Sequence, residues 1–193
     1  MKYILASGSP RRKELLKLVV PEFEVMVSNI DEKLKDGLTP REQAKSLAYQ
    51  KAKDVFEKTE GNRIVIGSDT IVVKDNKIYG KPKDEQDAKN MIKELISGDR
   101  SHSVVTGLSI MAQIDGRTEK YKVSDETKIY LTDISDKEID KWIATGKAMD
   151  KAGAYAIQEE FAVFVEKIEG NYDTVVGLPV YQVYNILKLI ELT

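Results

Sequence analysis

The ten residues Ile64-Val65-Ile66-Gly67-Ser68-Asp69-Thr70-Ile71-Val72-Val73 constrain the fold more than any other segment. A run this apolar and β-branched reads as a buried strand. Strands and helices alternate on either side of it, which implies a mixed α/β architecture. A carboxylate is out of place in such a strand, because burying Asp69 is costly unless a cation or hydrogen bonds compensate it. Two readings stand: an aspartate capping a bulge, or a metal ligand or general base in a site that supplies the compensation. Gly67 beside it permits close approach of another group.

The chain opens with Tyr3-Ile4-Leu5 and then Ala6-Ser7-Gly8-Ser9-Pro10-Arg11-Arg12. The pattern is a strand, a tight turn of small residues, and a helix with Ser9 as N-cap and Pro10 at its first position. Free N–H groups at a helix start favour an anion, whereas arginines there oppose the helix dipole. Arg11 and Arg12 suit this place if a polyphosphate sits in the turn; solvated arginines on an ordinary strand–turn–helix are the other reading. The spacing is neither a Walker A loop nor Gly-x-Gly-x-x-Gly.

The first helix is expected to run to about Val19, and Phe23–Val27 alternates as a strand. Thr39-Pro40-Arg41-Glu42 is a capping box that opens a helix to about Lys58, with Ala44, Leu47, Ala48, Ala52, Val55 and Phe56 facing the core. A turn at Asn76 leads to Ile78-Tyr79. Asp84 opens a further helix that ends at Gly98. Asp115-Gly116 joins extended stretches at about 101–114 and 117–132 as a hairpin. Ser135 and Glu138 form a second capping box before Trp142. A strand at 161–168 and a helix at 179–191 close what is expected to be a single domain spanning 1–193.

At 193 residues, with 41% hydrophobic and 32% charged, the chain is globular and long enough to bury a core. A net charge of −2 argues against a broad cationic surface for nucleic acid, so an anionic ligand must be met by clustered cations. The absence of cysteine excludes disulfides, thiol catalysis and cysteine-based zinc sites. The single histidine, His102, reads as a strand-edge residue bonded to backbone rather than a catalytic group. No stretch approaches the roughly 20 apolar residues of a membrane span. The apolar run at the start is too short for a signal-peptide core, so a cytoplasmic location without a membrane partner is expected.

Other polar residues fall where a site could use them. Lys51 stands in the row Leu47–Lys51–Val55, where it either snorkels or serves a site. Lys81, in Gly80-Lys81-Pro82, is held on a stiff turn. Asp31-Glu32 follows a strand; such carboxylates are either solvated or, with substrate phosphates and water, ligands of a hard divalent cation. Asp150-Lys151-Ala152-Gly153-Ala154-Tyr155-Ala156-Ile157-Gln158, with Val176-Gly177-Leu178-Pro179 further on, suits either a base-binding wall or a core turn.

Taken in order, Leu5–Arg12, Gly67-Ser68-Asp69-Thr70, Gly80-Lys81-Pro82, Asp150–Gln158 and Val175–Pro179 resemble the signature of the Maf family across essentially the whole chain. These are nucleoside triphosphate pyrophosphatases, formerly described as septum-formation proteins. The resemblance implies an inosine-triphosphatase-like fold of two α/β lobes around a deep cleft, commonly as a homodimer. It also implies metal-assisted hydrolysis of a nucleoside triphosphate between the α- and β-phosphates, with magnesium or manganese as the divalent cation. On that pattern Asp69 is the general base, and Glu32 and Asp69 hold the metal. Ser7, Arg12, Lys51 and Lys81 meet the phosphates, and Arg11, Thr70 and Gln158 set specificity.

Arginine, threonine and glutamine at these three positions resemble the branch acting on dTTP and UTP. The branch acting on 7-methyl-GTP has tryptophan in place of the first arginine. Glu159 departs from the dTTP/UTP pattern, which often has glycine there. Modified pyrimidine nucleotides are an alternative substrate set. A regulator of cell division that binds nucleotides without hydrolysing them is an alternative of another class.

Overall fold

In the computed structural model, which describes residues 1–191, the expected buried strand is β3 (Arg63–Lys74). It pairs in parallel with β1 (Lys2–Leu5), placing Ile4 opposite Val65 and Leu5 opposite Ile66. β1 also pairs in parallel with β2 (Glu24–Val25), whereas β4 (Lys77–Tyr79) folds back antiparallel on β3. With β5 (Ser101–Ile114), β6 (Arg117–Leu131) and β7 (Val165–Glu169) they form a mixed seven-stranded sheet. Its order is β2-β1-β3-β5-β6-β7, with β4 beside β3. The helices are α1 (Pro10–Lys17), α2 (Pro40–Glu57), α3 (Glu85–Leu95), α4 (Asp136–Ile143), α5 (Tyr172–Val176) and α6 (Val180–Glu191). The class is mixed α/β, as the alternation of elements implied.

The chain divides into two compact units. The first holds Met1–Asp69, Thr106–Asp125 and the segment from Gly177 onward; the second holds Thr70–Val105 and Glu126–Val176. In the first unit, strand alternation sends side chains to two apolar clusters. Leu5, Ile64, Ile66, Leu108 and Ile110 pack with Leu16 of α1 and with Val183, Ile186, Leu187 and Ile190 of α6. Ile4, Ala6, Val65 and Met111 pack with Ala52 and Val55 of α2.

The α2 capping box forms as expected, with the Thr39 hydroxyl accepting from the Glu42 N–H and the Glu42 carboxylate accepting from the Thr39 N–H. Ala44, Leu47, Ala48, Ala52 and Val55 are buried, and Phe56 is partly so. Two glycines let this helix lie close to the strands. A Cβ on Gly67 would stand 2.5 Å from the Ala48 carbonyl oxygen, and one on Gly107 2.1 Å from that of Ala44. Neither separation is possible for a real side chain against backbone.

In the second unit α3 and α4 cover a core of Val72, Tyr79, Val104, Ile129, Trp142, Tyr155 and Phe161. Here the structure corrects the expected strand at 161–168. Residues Glu160–Phe164 form a 3-10 turn, and β7 starts only at Val165. A 3-10 turn brings residues i and i+3 to one side, whereas a strand would send Phe161 and Phe164 to opposite faces. The two rings meet edge to face instead at 5.2 Å, and Phe161 also meets Tyr155 at 5.0 Å and Trp142 at 5.5 Å.

Two smaller expectations also change. β2 is shorter than Phe23–Val27, because pairing with β1 covers only Glu24 and Val25 before Met26 donates to the Leu5 carbonyl. His102 is buried rather than at an edge, and its Nε2 lies 2.6 Å from the Tyr155 hydroxyl instead of bonding backbone. Burial, aided by the charge of Lys74, pushes its pKa down to about 3.

Gly107→Ala should destabilise the fold by about 3 kcal/mol or more, since the added methyl meets backbone rather than a flexible side chain. Urea unfolding of the two proteins measures the difference. The buried His102 predicts an acid-sensitive fold. Between about pH 6.5 and 3 the unfolded chain carries this proton and the folded chain does not, so stability falls as pH drops through that window. Urea midpoints at pH 7.5 and 5 should therefore differ less in His102→Gln than in the parent chain.

Candidate active site

Beyond β1 the chain turns through Ser7-Gly8-Ser9, anchored by the Ala6 N–H on the Ile66 carbonyl at 2.8 Å. Ser9 caps α1 by accepting from the Arg12 N–H at 3.5 Å, and Pro10 fills the first helical position. The Ser7 hydroxyl is buried and accepts from the Ser9 N–H and from Arg12 Nη1, each at 3.3 Å. Arg12 Nε donates to the Gly177 carbonyl at 2.8 Å. The guanidinium is thereby held from two directions. Burial lowers its pKa, Asp69 and Glu32 raise it, and Arg11 opposes them; arginine remains charged throughout.

Val65, Gly67 and Asp69 alternate onto the side of β3 that α2 covers. Asp69 is only 7% exposed. Its compensation comes from α2, where Lys51 Nζ lies 2.5 Å from Asp69 Oδ1 and 2.9 Å from Glu32 Oε1. The bulge-cap reading of Asp69 gives way, because its partner is an ammonium group. The snorkelling reading of Lys51 gives way too: the side chain is 12% exposed and turns toward two carboxylates.

The first unit thus gathers Ser7, Arg12, Glu32, Lys51 and Asp69, with Arg11 half-buried beside Arg12 on α1. Ser68, quoted in the motif but given no role, is also fully buried; its hydroxyl lies 3.0 Å from the Gly107 carbonyl and 2.9 Å from that of Gly177. Gly177, at φ 125°, therefore receives Arg12 on the same carbonyl that Ser68 approaches. Only its long-range partners reveal that task.

Among the described residues no group of three or more histidines, cysteines or acidic residues gathers as a metal centre. The Glu32–Asp69 pair nevertheless has the chemistry for a hard divalent cation. Both donors are oxygen, both already converge on one ammonium, and such ions use one or two carboxylates with water and phosphate completing the shell.

The second unit places the other motif residues. Lys81 is exposed next to buried Pro82, and the Gly80 carbonyl accepts from the Gly153 N–H at 3.0 Å, so these two motif segments are joined. Gly153, Ala154 and Tyr155 are buried, with Trp142 Nε1 donating to the Ala154 carbonyl at 2.8 Å. That part is a core turn. Gln158 is exposed beyond it, and Glu159 sits 3.2 Å from the ammonium of buried Lys151. Thr70 follows Asp69 on β3 and is half-buried.

A family profile described as Maf-like protein matches residues 2–190. The chain belongs to the Maf family. A relative from Alkaliphilus oremlandii (strain OhILAs), named dTTP/UTP pyrophosphatase, is 52% identical over 96% of this chain and 94% of its own length. Relatives of the same name from Thermoanaerobacter sp. (strain X514) and Bacillus cytotoxicus are 47% and 44% identical, each over 97% of this chain and 96% and 94% of their own. The solved Staphylococcus aureus Ham1 protein aligns with 97% of this chain and 98% of its own at 15% identity and a TM-score of 0.48. Among the described residues no helix is long and apolar enough to cross a membrane.

Proposed function

We propose that this Maf-family chain hydrolyses dTTP and UTP at the bond between the α- and β-phosphates, releasing the nucleoside monophosphate and pyrophosphate. The observation that carries the reading is a buried Asp69 whose carboxylate is held by Lys51 beside Glu32 and Arg12. Relatives named for this activity make dTTP and UTP the first substrates to test. Modified pyrimidine nucleotides belong to the same substrate class.

Asp69, held through Oδ1 by Lys51, is assigned as the general base that accepts a proton from water. The water oxygen bonds to the α-phosphorus, the bond from that phosphorus to the bridging oxygen breaks, and its electron pair leaves with pyrophosphate. Arg12 and Lys51 meet the growing negative charge, and the Ser7 hydroxyl keeps Arg12 in place; Lys81 is assigned to the phosphates on the family pattern alone. Glu32 and Asp69 would hold a magnesium or manganese ion, which would supply Lewis-acid polarisation of phosphate oxygens. Arg11, Thr70 and Gln158 are assigned to base selection on the family pattern. The reading includes a cytoplasmic homodimer that acts on free nucleotides.

A panel of nucleoside triphosphates with Mg²⁺ or Mn²⁺, assayed separately for pyrophosphate and orthophosphate, tests the reaction. Pyrophosphate is expected as the primary product; orthophosphate alone would sink α–β cleavage, and tight binding without turnover would favour a regulator. Asp69→Asn should abolish turnover while nucleotide binding remains measurable by calorimetry. Arg11→Trp should lower kcat/KM for dTTP and UTP relative to other triphosphates while the melting temperature holds. Unchanged selectivity removes Arg11 from base choice.

A further inference from the structure

Glu32 lies within residues 26–39, which carry neither helix nor strand. A segment of that length has no ladder of its own to fix a side chain, and such long loops are commonly functional. It is nevertheless tied to α2 at three places. The Asn29 N–H donates to Asp54 Oδ2 at 3.2 Å, Glu32 pairs with Lys51 at 2.9 Å, and the Gln43 amide holds both backbone groups of Lys35. Gln43 Oε1 accepts from the Lys35 N–H at 3.0 Å, and Gln43 Nε2 donates to the Lys35 carbonyl.

The order is systematic: loop positions 29, 32 and 35 meet helix positions 54, 51 and 43. On a helix those three positions fall within an arc of about 80°. From 43 to 54 the helix advances about 16 Å, and six extended residues reach about 20 Å. Residues 29–35 therefore run as a strap antiparallel to α2, fastened on either side of Glu32.

Resting on the function proposed above, we infer that Gln43 is a positioning residue that holds Glu32 in register with Lys51 and Asp69. It is 5% exposed, and its side-chain partners are backbone groups of a strap with no other ladder. A glutamine suits the task because one amide both accepts and donates. Leucine or methionine of similar size would fill the space and release Lys35. Glu32 itself is half-exposed, so its own ion pair with Lys51 is screened and too weak to fix the strap.

The test uses Gln43→Met in the full chain. Hydrogen exchange over residues 28–38 should accelerate while the interior of α2 keeps its protection. kcat for dTTP should fall roughly tenfold, the lower end for losing a residue that orients a ligand group, with KM little changed. In a Glu32→Gln background the same substitution should cost little more, because the two changes share one interaction. Unchanged exchange over 28–38, or an equal loss in both backgrounds, overturns the inference. If Glu32→Gln itself leaves hydrolysis intact, the role given to Glu32 fails, and exchange alone then decides whether Gln43 fastens the strap. Should Gln43→Met fail to fold, Gln43→Glu keeps the bond from the Lys35 N–H but loses the one to its carbonyl; partial loss of protection is expected, and none refutes the clamp.

Discussion

The contact of α2 with Gly67 and Gly107 governs the first unit. Ala44 and Ala48 set the helix backbone directly on the two glycines, and a single methyl at either would have nowhere to go. That short distance lets Lys51 reach a carboxylate on the strand beneath. It also turns a face of polar residues, Gln43, Lys51 and Asp54, toward the strap that carries Glu32. The site is a by-product of small residues where one helix crosses two strands.

Charge balance follows from this seat. Asp69 and Glu32 face Lys51, with Arg12 close enough for both carboxylates to act on its ionisation. A buried carboxylate alone would be strongly unfavourable, and paired cations offset that cost. On the proposed function, the same groups would give a polyphosphate opposite charges already in place. Preorganisation of this kind needs few moving parts, since Arg12 is fixed by Ser7 and Gly177 before any ligand arrives.

Much of this was legible in the residues because its signals are local. Both capping boxes form, the Asp115-Gly116 hairpin forms, and Asp69 stood out as a charge in an apolar strand. The family resemblance marked Glu32, Lys51 and Arg12, and the structure gathers them in one unit. Long-range chemistry was not legible. His102 finds Tyr155 fifty-three positions away, and Phe161 leaves the strand pattern to join a ring cluster assembled from α4 and the turn after it. Gln43 reads from sequence as an ordinary polar residue on a helix. Its function exists only because a loop with no pattern of its own lies against it.

The buried ammonium of Lys151 ties Glu159 to the segment that carries Gln158. The segment that carries Gln158 also carries Lys151, which is 6% exposed and leans on Asp150, the Lys147 carbonyl and Glu159. A transplant that stops at residue 158 separates this lysine from one of its two neutralising carboxylates. Moving the segment without residue 159 therefore removes one of the two carboxylates that offset the buried ammonium.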